Sequence, residues 1–127
     1  MFKFKQFTIH QDRTAMKVGT DGVLLGAWAP ITYTATKVLD IGTGTGLIAL
    51  MLAQRLLKCN AYSNFEIDAI DIDQLSIEQA TENIKNSPFA SRIKTHFKSL
   101  QEYSPSEKYD AIVCNPPYFV ASLTPRR

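Results

Sequence analysis

No apolar run in this chain of 127 residues approaches the ~18 residues that a membrane-spanning helix needs, so no membrane partner is expected. The stretch 1–11 alternates and carries charge, which excludes the apolar core of a secretory signal. The 2 cysteines, Cys59 and Cys114, are too few for a disulfide framework or a zinc spacing, and no metal site is expected. With no export signal, a reducing cytoplasm is the expected compartment. An excess of one charge is missing too. Against 14 Lys+Arg stand 12 Asp+Glu, and the formal charge of +2 falls short of a strongly basic nucleic-acid footprint. Internal repeats and low-complexity segments are absent. What is present, 45% hydrophobic and 20% charged residues, is the balance of a globular chain. Its length predicts one domain, or part of one, over 1–127.

Hydrophobic periodicity divides the chain in two. In 1–30, Phe2-Lys3-Phe4-Lys5-Gln6-Phe7-Thr8-Ile9 begins with period two and predicts a strand or hairpin, with Met16-Lys17-Val18 as a partner. A turn at Gly19-Thr20-Asp21-Gly22 leads to a short helix over 23–28, capped by Thr20 or Asp21 and stopped by Pro30. In 37–127, strands are predicted over 37–41, 65–71, 93–97 and 109–114. An apolar helix is predicted over 47–57. An amphipathic one is predicted over 74–86, with Asp73 as its N-cap, Ile77, Ala80 and Ile84 facing inward, and Pro88 beyond it. Cys114 is expected in the buried strand, Cys59 in a loop and Trp28 in the core. His10 and His96 are assigned structural or surface roles. Strand and helix alternate, which predicts an α/β fold with a parallel sheet and right-handed crossovers. Ligands of such sheets bind beyond the carboxyl ends of the strands. The unusual polar residues all fall there.

The segment Asp40-Ile41-Gly42-Thr43-Gly44-Thr45-Gly46 links a strand to a helix. Glycines let a ligand approach the backbone, and the helix start offers free N–H groups. The dinucleotide fingerprint wants a third glycine where Leu47 stands, and a phosphate-binding Gly-Lys-Ser/Thr is absent. An acid at Asp40 suits a cationic amine or sulfonium better than a pyrophosphate. Asp71, ending the second strand, is placed to accept ribose hydroxyls. Together they predict an adenosine that carries an amino acid.

Asn115-Pro116-Pro117-Tyr118 follows the fourth strand directly. The prolines stiffen the turn and fix the direction of the Pro116 carbonyl. That carbonyl and the Asn115 amide oxygen together can accept both hydrogens of a planar exocyclic amine. Tyr118 offers a face for a stacked base, and Phe119 a further apolar wall. Such an amine, held in line with a methyl sulfonium, reacts largely by positioning.

These two motifs resemble the class I S-adenosylmethionine-dependent methyltransferases, in the amino-methylating group marked by Asn/Asp-Pro-Pro-Tyr/Phe. Phe4-Lys5-Gln6-Phe7, Asp12-Arg13, and the block from Met16 through Lys17-Val18-Gly19-Thr20-Asp21-Gly22 to Trp28 look like the bacterial tRNA(Val) adenine-N6 methyltransferase family. The resemblance covers nearly the whole chain. It implies a Rossmann-like sheet, S-adenosylmethionine as cofactor and tRNA as substrate. By position it puts Asp40, Gly42, Gly44 and Gly46 at the methionine end of the cofactor, and Asp71 on the ribose. Thr20, Asp21 and Gly22 fall near the carboxylate, and Asn115, Pro116 and Tyr118 at the target adenine. The family often has an acid after the third strand; here Lys98-Ser99-Leu100 stands in that place, with Ser99 as the hydrogen-bonding candidate.

The family is also about twice as long, with strand order 3-2-1-4-5-7-6. Only its first four core strands, in order 3-2-1-4, are expected here, which leaves an apolar edge open to self-association. Methylation of a protein glutamine amide or another nucleobase amine remains an alternative, as does a non-catalytic remnant. Lys3, Lys5, Arg13 and Lys17 form a basic patch that suits RNA phosphates or a solvated strand face.

Overall fold

The computed structural model describes residues 2–3, 8–10, 26–27, 29, 31, 35–59, 64–103 and 108–114. Strands β1 (Phe2–Lys3) and β2 (Thr8–Ile9) pair antiparallel, with Phe2 opposite Ile9. The hairpin therefore closes within the first nine residues. Residues 16–18, Thr20, Asp21, Gly22 and Trp28 lie outside the described residues. Of the short helix over 23–28, Gly26 and Ala27 are described and helical.

The main sheet contains β3 (Lys37–Ile41), β4 (Glu66–Asp71), β5 (Ile93–Phe97) and β6 (Ala111–Cys114). Its order is β5-β4-β3-β6 and every pairing is parallel. Numbered from β3 as the first core strand, this is the expected 3-2-1-4. Helix α1 (Leu47–Cys59) joins β3 to β4, and α2 (Gln74–Lys85) joins β4 to β5. Both crossovers step the same way across the sheet, so right-handedness puts both helices on one face. Val38, Ile67, Ala69, Ile93 and Val113 point into that layer and share one buried cluster with Leu50, Leu52, Leu56, Ala80 and Ile84. Leu50, Leu52 and Leu56 are fully buried, worth roughly 1.5–3 kcal/mol each. Among the described residues no helix is long and apolar enough to cross a membrane.

Four predicted details are corrected. Ile77 is only half-buried: the inner face of α2 is Ser76, Gln79, Ala80, Asn83 and Ile84, rotated toward polar side chains that find partners inside. Cys59 ends α1 rather than lying in a loop. Cys114 is exposed, not buried, and Ile112 is 61% exposed beside it. Among the described residues β6 pairs with β3 alone. It also begins at Ala111 rather than Tyr109. The Asp110 carboxylate sits at the strand entrance and accepts from the backbone N–H groups of Thr36 (2.8 Å) and Lys37 (3.0 Å).

To reach β6, the chain reverses direction across the sheet, and the same handedness sends this connection over the opposite face. There it closes a polar cluster around the buried Asp68. Tyr109 donates its hydroxyl to Asp68 Oδ2 at 2.7 Å, and Tyr103 lies 2.7 Å from the Tyr109 oxygen. His96 Nε2 meets Asp68 Oδ1 at 3.1 Å, and Lys37 Nζ stands 3.5 Å from Oδ2. Burial alone would raise the Asp68 pKa. The hydrogen bonds from Tyr109, His96 and Tyr103, with the Lys37 charge, outweigh burial and hold the carboxyl below its ordinary value. A carboxyl lowered on folding stabilises the fold above its unfolded pKa, and that stabilisation is lost as pH falls through the folded value. Tyr109→Phe should therefore destabilise the chain by about 1–3 kcal/mol at neutral pH. In urea titrations from pH 7 to pH 3, the variant should also show the smaller acid-side loss.

Candidate functional site

The site is built where β3 and β4 end. After Ile41 the chain turns through Gly42, Gly44 and Gly46, all at positive φ. Two of these glycines have distinct reasons. At Gly44 (φ +54) a Cβ would meet nothing within 4 Å, so the loop faces open space there. At Gly46 (φ +86) a Cβ would come 3.4 Å from the Ala80 Cβ, so the loop lies against α2. The N–H groups of Gly42 and Thr43 both donate to the Ile70 carbonyl, at 2.9 and 3.0 Å. The Gly44 N–H donates to Asp71 Oδ2 at 2.8 Å, and the Asp73 N–H to Asp71 Oδ1 at 2.9 Å. One carboxylate thus hangs the loop and the entry to α2 on the end of β4.

Asp40 lies beneath the loop with no exposed surface. Its Oδ2 accepts the Thr43 hydroxyl at 2.8 Å, while Oδ1 has no hydrogen-bond partner among the described residues. Burial, with the nearby Asp71 charge, pushes its pKa up to about 7 against the stabilising bonds from the Thr43 hydroxyl and the Ala49 N–H. Helix α1 opens beside it with no acid in its own first turn, and the Ala49 N–H of that turn bonds to the Asp40 carboxyl. An unpartnered carboxylate oxygen, an open face at Gly44 and the nearby start of α1 fit a ligand carrying both a cationic centre and a carboxylate. Asp71 still has acceptor capacity, because two N–H groups fill about two of the four lone-pair sites of a carboxylate.

The structure therefore brings Asp40, Gly42, Gly44, Gly46 and Asp71 to one rim. Ser99 lies on the same rim: Phe97 pairs with Asp71, and the Lys98 N–H donates to the Asp71 carbonyl at 3.0 Å. Its hydroxyl, however, is engaged with Glu102. Ser99 Oγ accepts the Glu102 N–H at 3.2 Å while Glu102 Oε1 accepts the Ser99 N–H at 3.1 Å, a reciprocal capping box over one turn. Asp73 is the N-cap of α2 by position, and its carboxylate takes the Ser76 hydroxyl at 2.7 Å rather than a backbone N–H. Thr20, Asp21, Gly22, Asn115, Pro116 and Tyr118 lie outside the described residues. Cys114 pairs with Ile41, so the chain leaves β6 at the end where the glycine loop begins.

Sequence reasoning missed four apolar side chains that flank Asp71. Ile72, Leu75, Phe97 and Leu100 are each more than half exposed. The available signal was an apolar residue placed directly after a strand-ending acid, where a solvated turn would favour a polar one. It also missed Asn83, a polar residue on an apolar helix face.

Residues 18–124 match the family model described as Methyltransferase small domain. The protein of Flavobacterium psychrophilum named tRNA1(Val) (adenine(37)-N6)-methyltransferase is 55% identical over 121 residues, covering 94% of this chain and 49% of that protein. Its namesake in Parabacteroides distasonis is 60% identical over 124 residues, covering 96% and 49%. The chain spans about half the length of the curated relatives it matches. A crystal structure from Methanococcus maripaludis, assigned as an S-adenosyl-L-methionine-dependent methyltransferase, is 29% identical. It has a TM-score of 0.56 and covers 68% of this chain and 36% of that one. A Klebsiella pneumoniae structure assigned as an O-methyltransferase has a TM-score of 0.60 at 18% identity, with 84% and 50% covered, and shows the fold alone.

A carboxyl whose pKa rises on folding costs stability once pH climbs past its unfolded value, and the cost grows until pH passes the folded value near 7. Asp40→Asn keeps an acceptor for Thr43 and removes the buried charge. It should raise the denaturation midpoint at pH 8 by a stability gain of roughly 1–3 kcal/mol. The gain should shrink toward zero at pH 4. A variant that is less stable than the parent at pH 8 contradicts this account of Asp40.

Proposed function

The chain belongs to the methyltransferase small domain family, and from that premise we propose that it binds S-adenosylmethionine and serves methyl transfer to the exocyclic N6 of an adenine in tRNA. The observation that carries the cofactor reading is the Asp71 carboxylate, fixed by two backbone N–H groups at the edge of an open glycine loop. The names of the half-matching relatives support the tRNA adenine.

S-adenosylmethionine supplies, when bound, a methyl group on a positively charged sulfur. The residues proposed to receive it have separate tasks. Asp71 accepts the ribose hydroxyls with its remaining lone pairs. Ile72, directly beyond it, offers an apolar wall to a purine ring. Ser99 is the nearby polar candidate for the ring edge, by sharing the hydroxyl that now serves Glu102. Asp40 lowers the local potential and favours the cationic end, while the α1 N-terminus favours the carboxylate. Thr20, Asp21 and Gly22 are proposed on that same side, by resemblance.

At the acceptor, the sequence of Asn115-Pro116-Pro117-Tyr118 supports two acceptors and a stacking face for a planar amine. Acceptors aimed at a nitrogen that gains positive charge stabilise the transition state without a dedicated base. The target adenine must be unstacked, which costs little in single-stranded RNA. Cytoplasmic tRNA is the proposed substrate pool. One observation favours self-association as well: Ile112 stands 61% exposed on a strand that pairs on one side only among the described residues.

Calorimetric titration of the chain with S-adenosylhomocysteine tests the cofactor reading. Saturable binding is expected, weakened about tenfold to a hundredfold in Asp71→Ala. No binding by a chain whose circular dichroism shows a folded α/β domain overturns it. Labelled S-adenosylmethionine then tests the acceptor: label is expected in tRNA, and label in a protein glutamine instead would sink the tRNA assignment.

A further inference from the structure

Asn83 is 1% exposed in α2 and uses its side-chain amide in three directions. Its Nδ2 donates to the carbonyl of Thr45 in the glycine loop at 2.9 Å and to the carbonyl of His10 at 2.9 Å. Its Oδ1 accepts the His10 N–H at 2.9 Å. The partners fix the amide orientation, because two carbonyls can only face the NH2 group and an N–H only the oxygen. His10 lies 73 positions away in sequence and immediately follows β2; Thr45 lies 38 positions away. One buried amide therefore bonds both to the backbone that leaves the hairpin and to the loop proposed to hold the cofactor.

The surroundings leave the clamp little slack. Gly46, next to Thr45, packs on α2: a Cβ there would make ordinary contact with the Ala80 Cβ at 3.4 Å and Ile84 Cδ1 at 3.5 Å. Ile9, next to His10, is fully buried. Further along the N-terminal stretch, Arg55 of α1 donates to the carbonyls of Gly26 (3.1 Å) and Ala29 (2.9 Å). The N-terminal segment is thus fastened to the helix layer on either side of 11–25, and among the described residues only the His10 end shares its fastener with the glycine loop. Moving the Thr45 carbonyl strains the His10 bonds, and the reverse holds.

We infer that Asn83 is a positioning residue that couples docking of the N-terminal hairpin to the cofactor loop, so that a ligand on the loop tightens the hairpin and hairpin docking tightens the ligand. The inference rests on the cofactor reading above. Coupling of this kind is reciprocal, so it can be read at either end.

Amide hydrogen exchange reads it in the wild-type chain. Saturating S-adenosylhomocysteine should slow exchange of the His10 N–H by about fivefold or more. The Asp110 N–H, bonded at 2.7 Å to Lys37 at the far end of the strands, should not respond. His10→Pro, which deletes the N–H given to Asn83, should speed exchange at Gly42, Thr43 and Gly44 without any ligand. Asn83→Ala should weaken S-adenosylhomocysteine about tenfold and abolish the His10 response. An unchanged His10 exchange rate in the saturated wild type overturns the coupling, and so does a folded Asn83→Ala chain that binds as the parent does. Should Asn83→Ala not fold, the wild-type and His10→Pro measurements decide. Binding without a His10 response removes the coupling alone; no binding at all removes the cofactor reading and the coupling with it.

Discussion

Two backbone N–H groups share one carboxylate at the end of β4, and the shape of the whole rim follows from that sharing. Gly44 approaches Asp71 from the loop after β3, and Asp73 approaches it from the turn into α2. Without the Asp71 side chain, both would need other acceptors, and an unmade bond at a partly buried N–H costs roughly 1–3 kcal/mol. The loop is therefore preorganised by the same group that is proposed to meet the ligand. Preorganisation of this kind lowers the ordering cost of binding. It also means that loop shape and ligand affinity cannot be separated by simple truncation at this position.

Asp40 illustrates the opposite economy. A buried carboxylate with one unbonded oxygen is a local violation of the rule that buried polar atoms are paired. Its raised pKa comes first from burial and then from the Asp71 charge, so the two acids at the ends of β3 and β4 repel each other through the loop. A positive group placed between the loop and the helix start would relieve both. Asp40 Oδ1 is the one buried side-chain polar atom without a partner among the described residues, and a violation kept at a rim marks where the sequence serves something besides stability.

The sequence revealed the architecture because its signals were local. Val38, Leu39 and Ile41 beside a glycine run mark a strand and its end. The apolar run after Gly46 is too short for a membrane and too long for a strand. The glycine loop and Asp71 were legible as well, because strand ends in a parallel sheet gather polar residues at one rim. What was not legible depends on partners distant in sequence. Nothing in Phe65-Glu66-Ile67-Asp68 shows that Asp68 will meet Tyr109, 41 positions later. The inner face of α2 read as Ile77, Ala80 and Ile84. Asn83 takes a buried place because the His10 and Thr45 backbones bond to it, Gln79 is buried on the same face, and Ile77 moves outward. Cys114 read as core because its strand is apolar. It is exposed because, among the described residues, β6 has a neighbour on one side only.

The strand order also bears on how the two proposed chemistries would share one crevice. From β3 the chain steps to β4 and β5 on one side, then returns to β6 on the other, so the sheet divides at β3. At such a division the loops after neighbouring strands bend apart and leave a cleft. The β4 side carries Asp71, Ile72 and the turn beyond Phe97, the residues proposed for an adenosine. On the β6 side Cys114 is level with Ile41, and the residue that follows it is Asn115, the first of the motif proposed to accept the amine. Asp40 and the glycine loop stand between the two sides. In the proposed reading, a donor on one side and an acceptor on the other would meet over β3, and the reversal in strand order would set the direction of transfer.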